Sequence, residues 1–204
     1  MATMAAPIAA TTPAGRWPAP AAGEWTVDML ADLPDDGRRY ELLDGALLVS
    51  PSPMPTHQLA GANLYDLLRA ALPRTHRVFF APLDWQPDER TSLEPDLLIV
   101  SRENYRAREA LETLTAVVEV ASPSTARIDR TAKKERYAQG GIAQYWIVDP
   151  GIRPGTGPSV TVFDLGADAY HEAARAEGDE EVVVTLPIEG ARSVTVSPRQ
   201  LLEF

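Results

Sequence analysis

The stretch TAVVEVAS at 115–122 sets one carboxylate, Glu119, inside a run that is otherwise apolar or small. Such a run reads as a buried strand. An ionised side chain there is costly unless an opposite charge or a bound cation meets it, so the fold has to bring a partner to Glu119. The chain offers an unusual basic set, since seventeen of its nineteen basic residues are arginine and its lysines are the adjacent pair Lys133 and Lys134. Lysine is a compact, titratable proton donor or acceptor where arginine is not, which draws attention to that pair. Three histidines, at 57, 76 and 171, are scattered, and there is no cysteine. A disulfide framework, a thiolate zinc site and an iron–sulfur cluster are therefore excluded. A bound metal would rest mainly on carboxylates, the donors preferred by hard cations such as magnesium or manganese.

Residues 1–23 are dominated by Ala, Pro and Thr and read as a disordered tail, without the unbroken apolar segment of a secretory signal. Residues 24–204 read as a single domain. Thr26 can cap a short helix carrying Met29, Leu30 and Leu33, stopped by Pro34 and Gly37. Asp44-Gly45 predicts a tight hairpin turn between strands Arg39 to Leu43 and Ala46 to Ser50. Helical spacing of Leu59, Ala62, Leu64, Leu67, Leu68 and Ala71 predicts an amphipathic helix from Thr56 to Leu72, closed by Pro73. Strands follow in HRVFFAP, LDWQP, EPDLLIVS and TAVVEVAS, then a helix from Ala126 to Gln139 ended by Gly140-Gly141, then the strand IAQYWIVDP. The remainder alternates at period two as antiparallel strands before a last helical turn in SPRQLLEF. The class is α/β with a mixed central β-sheet. No run approaches eighteen apolar residues, so no transmembrane helix is expected, and the lack of cysteine agrees with a cytoplasmic protein.

Three pieces carry chemistry: Pro95-Asp96 ahead of an apolar strand, Glu119-Val120-Ala121 in the next, and Asp129, Lys133 and Tyr137 on the following helix. Alternation puts Glu119 on the opposite face from Val118 and Val120. Positions 129, 133 and 137 are spaced i, i+4, i+8 and share one side of a helix, whereas Lys134 lies about 100° further round. Two carboxylates on neighbouring strands concentrate negative charge that a divalent cation would neutralise.

These residues resemble the PD-(D/E)XK nuclease superfamily, in which an Asp and a Glu on adjacent strands bind magnesium and a Lys assists attack by water. More narrowly, the chain is similar to the Uma-type family of restriction-endonuclease-like proteins. The resemblance rests on YELLDG at 40–45, SPMPTH with His57, Pro95-Asp96, VVEVASPST at 117–125, and D-x-x-x-K-x-x-x-Y followed by GG-x-x-x-YWIVDP, spanning about residues 25–150. It implies a restriction-endonuclease-like core, a mixed central β-sheet flanked by helices, here with a C-terminal antiparallel β-meander. It implies a Mg2+- or Mn2+-dependent endonuclease hydrolysing phosphodiester bonds in nucleic acid, DNA foremost; since cutting both strands of a duplex is easiest with two active sites, a homodimer is expected. The superfamily's Lys lies two residues after the Glu, where this chain has Ala121; the resemblance implies migration of that Lys to the helix, with Lys133 the candidate. On the same footing Asp96, Glu119 and the Val120 carbonyl would hold the metal. Glu41 would join them directly or through water, Asp129 and Tyr137 would flank Lys133, and His57 would contact a phosphate or serve as an auxiliary acid.

Plainer readings stand beside these. Asp96 could cap a strand after Pro95, Glu119 could pair with an arginine, Lys134 could substitute for Lys133, and Glu41 could be an ordinary hairpin carboxylate. The whole could be a catalytically silent nuclease-fold module that binds nucleic acid or protein, or a metal-free scaffold. The net charge of −10 argues against a whole-surface grip on nucleic acid. Residues 102–136, with eight basic residues against six acidic ones, form the positive stretch where DNA could approach. Either the C-terminal meander or the YWIVDP strand could supply a dimer interface.

Overall fold

The computed structural model describes residues 20–21, 23–105, 110–123, 125–151 and 155–204. Residues 1–19 and 22 of the expected tail, and Arg106 and Arg108 of the positive stretch, lie outside the described residues. Thr26 heads a single helical turn, α1 (Val27–Leu30), without a side-chain capping bond, and that turn ends before Leu33. The Asp44-Gly45 hairpin forms as its sequence predicts, joining β1 (Arg39–Leu43) to β2 (Ala46–Ser50) in full antiparallel register. Its two corner residues both take positive φ, 49° and 81°, the geometry a two-residue turn needs to match strand twist. The amphipathic helix α2 (Pro55–Ala71) starts with Pro at its first position, where the missing N–H costs nothing.

β3 (His76–Phe80), β4 (Asp84–Asp88), β5 (Thr91–Leu93), β6 (Leu97–Ser101), β7 (Ala110–Leu111) and β8 (Ala116–Val120) follow. Next comes a continuous helix over 126–139, α3, in which α-helical Ala126–Ile128 and Lys134–Gln139 flank a π-helical turn, Asp129–Lys133. β9 (Gln144–Asp149), β10 (Ser159–Leu165), β11 (Tyr170–Glu177), β12 (Val182–Thr185) and β13 (Ser193–Val196) precede a last 3-10 turn, Gln200–Leu202. No helix among the described residues is long and apolar enough to cross a membrane.

Six strands form the central sheet in the order β11-β10-β9-β8-β6-β3, mixed because β8 and β9 run parallel while the other pairs are antiparallel. A second sheet, β2-β1-β5-β4-β7, lies on one face, and the β12–β13 hairpin forms a third pair. The two faces of β8 feed two cores. Val118 and Val120 join Leu64 and Leu68 of α2 and Val184, Val194 and Val196 of the C-terminal hairpin. Val117 and Ala121 join Trp85, Leu93, Ala126, Tyr137 and Tyr145 on the side of the second sheet and α3. Alternation therefore sends Glu119 toward the second core, into the gap between the two sheets and α3.

Two sequence expectations need correcting. The YWIVDP strand, β9, is paired on both sides and buried along its length, so it has no surface to offer a dimer partner. Among its described members, the positive stretch is in part spent on local partners, while Arg102 and Arg127 are exposed. Lys133 is buried among carboxylates, Arg130 pairs with Asp149 at 2.8 Å, Arg136 pairs with Asp44 at 3.0 Å and with Asp88, and Lys134 lies 3.5 Å over the Phe163 ring.

Gly140, at the end of α3, is fixed by packing rather than by backbone conformation. A Cβ there would lie 2.2 Å from Cζ2 of Trp85, a fully buried ring that stacks at a tilt on Tyr137 with centroids 5.3 Å apart. Gly140→Ala is expected to lower stability by about 1–3 kcal/mol, the usual cost of overpacking. Urea denaturation followed by tryptophan fluorescence would show it, and an unchanged midpoint would mean that Trp85 yields freely.

Candidate functional site

The central feature is an ammonium taken out of water. Lys133, with 2% of its surface exposed, places Nζ 2.8 Å from Oε1 of Glu41 and 3.1 Å from Oε1 of Glu119, with Oδ1 of Asp129 at 3.9 Å. Glu41 comes from the hairpin strand β1, Glu119 from the central strand β8, and Asp129 from one turn earlier on α3. The π turn joins Asp129 to Lys133, and both face the interior. Tyr137, one turn further on, donates its hydroxyl to the same Glu119 oxygen at 2.6 Å, so its hydrogen bond goes to Glu119 and not to Lys133. Lys134 points elsewhere, onto Phe163.

Asp96 stands immediately before β6 and binds three donors: the Val120 N–H at 2.7 Å, Nη1 of Arg39 at 3.0 Å, and Nε2 of His57 at 3.1 Å. The Val120 contact ties Asp96 to the end of β8, beside Glu119. Arg39 also meets Glu94 at 2.7 Å, and Oε1 of Glu41 accepts the Glu94 N–H at 2.9 Å. A cavity of about 260 Å³ opens onto this cluster, lined by Arg39, Glu41, His57, Asp96, Glu119, Val120 and Lys133 and rimmed by residues 50–54 and by Ser122, Pro123 and Thr125. Six of the eight residues singled out by sequence thus line one cavity, and Asp129 and Tyr137 reach it through Lys133 and Glu119. Ala121, where the superfamily pattern would put a Lys, packs in the apolar core.

Arg39 and Glu94 went unnoticed in the sequence, although the signal was present. Strand alternation puts Arg39 on the face of Glu41, two residues away, and Glu94 is likewise two residues from Asp96. Tyr145 also serves the site, donating to the backbone carbonyl of Asp129 at 2.8 Å.

Charge is unevenly balanced here. Burial pushes the Glu119 carboxyl well up; Lys133 opposes the shift, while Asp129, Asp96 and Glu41 reinforce it. Burial also raises Asp129 to about 6, against the pull of Lys133 and Thr125. Burial acts against the charge of Asp96 too, yet His57, Arg39 and the Val120 N–H together hold it below the usual carboxylate range. Lys133 is desolvated, but Glu119, Glu41 and Asp129 outweigh that and keep it an ammonium above its ordinary range. Both oxygens of Asp129, a residue 1% exposed, are buried without a hydrogen-bond partner among the described residues. The Thr125 hydroxyl nearby is engaged with Ser122 at 2.9 Å.

The donor set suits a hard divalent cation in kind and in charge. Glu41, Asp96, Glu119 and Asp129 face Lys133 and Arg39, and the backbone of Val120 lines the same cavity. Among the described residues no three acidic or histidine side chains are already arranged as a coordination shell, and the ammonium bridges Glu41 and Glu119.

A family model described as "Uma2: Putative restriction endonuclease" matches residues 27–197, which include the whole cluster. Among solved structures, the chain is similar to one titled a "putative nuclease belonging to DUF820" from Anabaena variabilis, with a TM-score of 0.65 and 18% sequence identity. That match covers 87% of this chain and 97% of the other, and at this identity it speaks to the fold. No curated protein matches the chain.

A carboxyl with a raised pKa in the folded state destabilises the fold when ionised. For Asp129 this penalty is fully present above pH 6, declines as the folded protein takes up a proton, and is gone below the ordinary value near 3.8. Asp129→Asn is therefore expected to stabilise the protein by about 1–3 kcal/mol at pH 8. The gain should shrink between pH 6 and pH 4. Urea midpoints at pH 8 and pH 4.5 would check this, and a gain equal at both would rule out a buried charge as its origin.

Proposed function

From its membership of the Uma2 family, to which this chain belongs, we propose that the protein is a metal-dependent endonuclease that hydrolyses phosphodiester bonds in DNA. The observation that carries the proposal is the meeting of Asp96, Glu119 and a buried Lys133 at one cavity, with Glu41 and His57 at its wall. In this reading Asp96, Glu119 and the Val120 carbonyl hold Mg2+ or Mn2+, with Glu41 joining directly or through water. Bound there, the cation lowers the pKa of water and offsets charge on the phosphate.

The chain's own groups do the rest. The Val120 N–H, Arg39 and His57 orient Asp96, and Tyr137 orients Glu119. Lys133 is held as a permanent cation by its neighbours, so it is assigned to orienting the nucleophilic water and stabilising developing negative charge rather than to abstracting a proton. Asp129 supports the lysine from the same helix. His57, which lines the cavity, is assigned to contacting a phosphate oxygen.

Cutting both strands of a duplex is easiest with two active sites, so the assembly proposed is a homodimer, with the C-terminal strands as the remaining candidate interface. Residues 24–204 would act as one domain, in the cytoplasm. The competing reading keeps the fold and the binding of nucleic acid or protein without catalysis; an ion cluster already closed on itself by Lys133 is what favours it.

Incubation of supercoiled plasmid with the purified protein and Mg2+ or Mn2+ is expected to give nicked or linear product, abolished by EDTA. Glu119→Ala, Asp96→Asn and Lys133→Met should each lower the rate by roughly 10²–10⁴-fold, with thermal melts confirming that the variants fold. No cleavage by the wild-type protein, together with no thermal shift on adding either metal, would favour the silent module.

A further inference from the structure

We infer that the Lys133 ammonium has two seats, and that it leaves Glu41 and Glu119 for Asp129 when those carboxylates take up a divalent cation. This rests on the metal-dependent reading above and adds a positioning role for Asp129. In the cation-free arrangement Nζ bridges the facing Oε1 atoms of Glu41 and Glu119, at 2.8 and 3.1 Å. It therefore stands between two of the oxygens a hard cation would use. A cation and an ammonium cannot share that gap, since both are positive and both need the same lone pairs.

A destination is already built. Oδ1 of Asp129 forms a long ion pair with Nζ at 3.9 Å, beyond hydrogen-bond reach, and both Asp129 oxygens are buried without a hydrogen-bond partner among the described residues. A buried carboxylate without a full hydrogen bond is unfavourable, and beside the Thr125 hydroxyl the ammonium is the nearby cation that can satisfy it. The π turn spanning Asp129–Lys133 sets the two residues on one interior-facing side, and such turns recur where helices carry function. Glu119 does not lose all support when the ammonium leaves, because Tyr137 still donates to it at 2.6 Å. The charge count also favours the exchange. Four buried carboxylates, at 41, 96, 119 and 129, outnumber Lys133 and Arg39, and a divalent ion with the lysine moved to Asp129 spreads positive charge over all of them.

Mn2+ titrations of the full chain by isothermal calorimetry provide the test, using wild type, Asp129→Asn, Lys133→Met and the double variant. Asp129→Asn is expected to weaken Mn2+ binding about tenfold, within the usual range of coupling between sites. Lys133→Met should bind at least as tightly as wild type, since the competing ammonium is gone, and adding Asp129→Asn to it should cause no further loss. A crystal structure of the wild type grown with Mn2+ should show Nζ within hydrogen-bond distance of Asp129. Should Lys133→Met not fold, the wild-type structure and the Asp129→Asn titration decide the matter alone. Mn2+ bound at the cluster with Nζ still on Glu41 and Glu119, or with Asp129→Asn binding as tightly as wild type, would overturn the second seat while leaving the metal-dependent reading intact. No Mn2+ binding by the wild type would overturn both.

Discussion

An ammonium with almost no exposed surface holds together three parts of the chain that are far apart in sequence. Lys133 draws a carboxylate from the hairpin at 39–50, another from the middle of the central sheet and a third from its own helix. Desolvating each of these ions costs several kcal/mol before any attraction is counted, and an apolar cluster of the same size would often be as stable or more so. Stability alone therefore does not account for the arrangement. What the ion cluster does supply is registration: β1, β8 and α3 can meet in this way only if the second sheet sits over the central sheet with Glu41 opposite Glu119.

The imbalance of charge around that ammonium divides the carboxylates into two kinds. Asp96, with a guanidinium, an imidazole and a peptide N–H around it, is held as a firm anion. Glu119 and Asp129, buried with too little positive charge between them, are pushed toward the protonated form. Environments that drive neighbouring acids apart in this way are characteristic of sites that bind cations or move protons. Here the strained member is Asp129, and the lysine that could relieve it is engaged elsewhere.

Much of this was legible in the sequence wherever the signal was local. Asp44-Gly45 fixed a hairpin whose register aligned Glu41, and one acid among valines marked Glu119 as a buried group in need of a partner. The four-residue spacing of 129, 133 and 137 separated Lys133 from Lys134. Information that depended on long-range pairing was harder to read. Arg39 meets Asp96 across 57 positions, and an arginine at the start of a strand looks like an ordinary edge charge. The π turn leaves no mark in composition, because its widened geometry follows from what the helix must reach. The positive stretch at 102–136 was legible as a count but not as a surface. Its described members Arg130, Arg136 and Lys133 turn to carboxylates supplied by β9, by the 44–45 turn with β4, and by the buried cluster.

That dispersal bears on how a chain of net charge −10 could engage a polyanion. Arg130, Arg136 and Lys133 are committed to local pairs, and a phosphate must also contend with the charge of the cavity. There the carboxylates of Glu41, Asp96 and Glu119 would repel a phosphodiester approaching the cation-free protein. A divalent cation would offset that local charge and, in the arrangement inferred above, send the Lys133 ammonium toward Asp129 instead of expelling it. On this reading nucleic-acid binding and metal binding are one thermodynamic event, because the acidic cavity admits a phosphodiester only once its charge is offset.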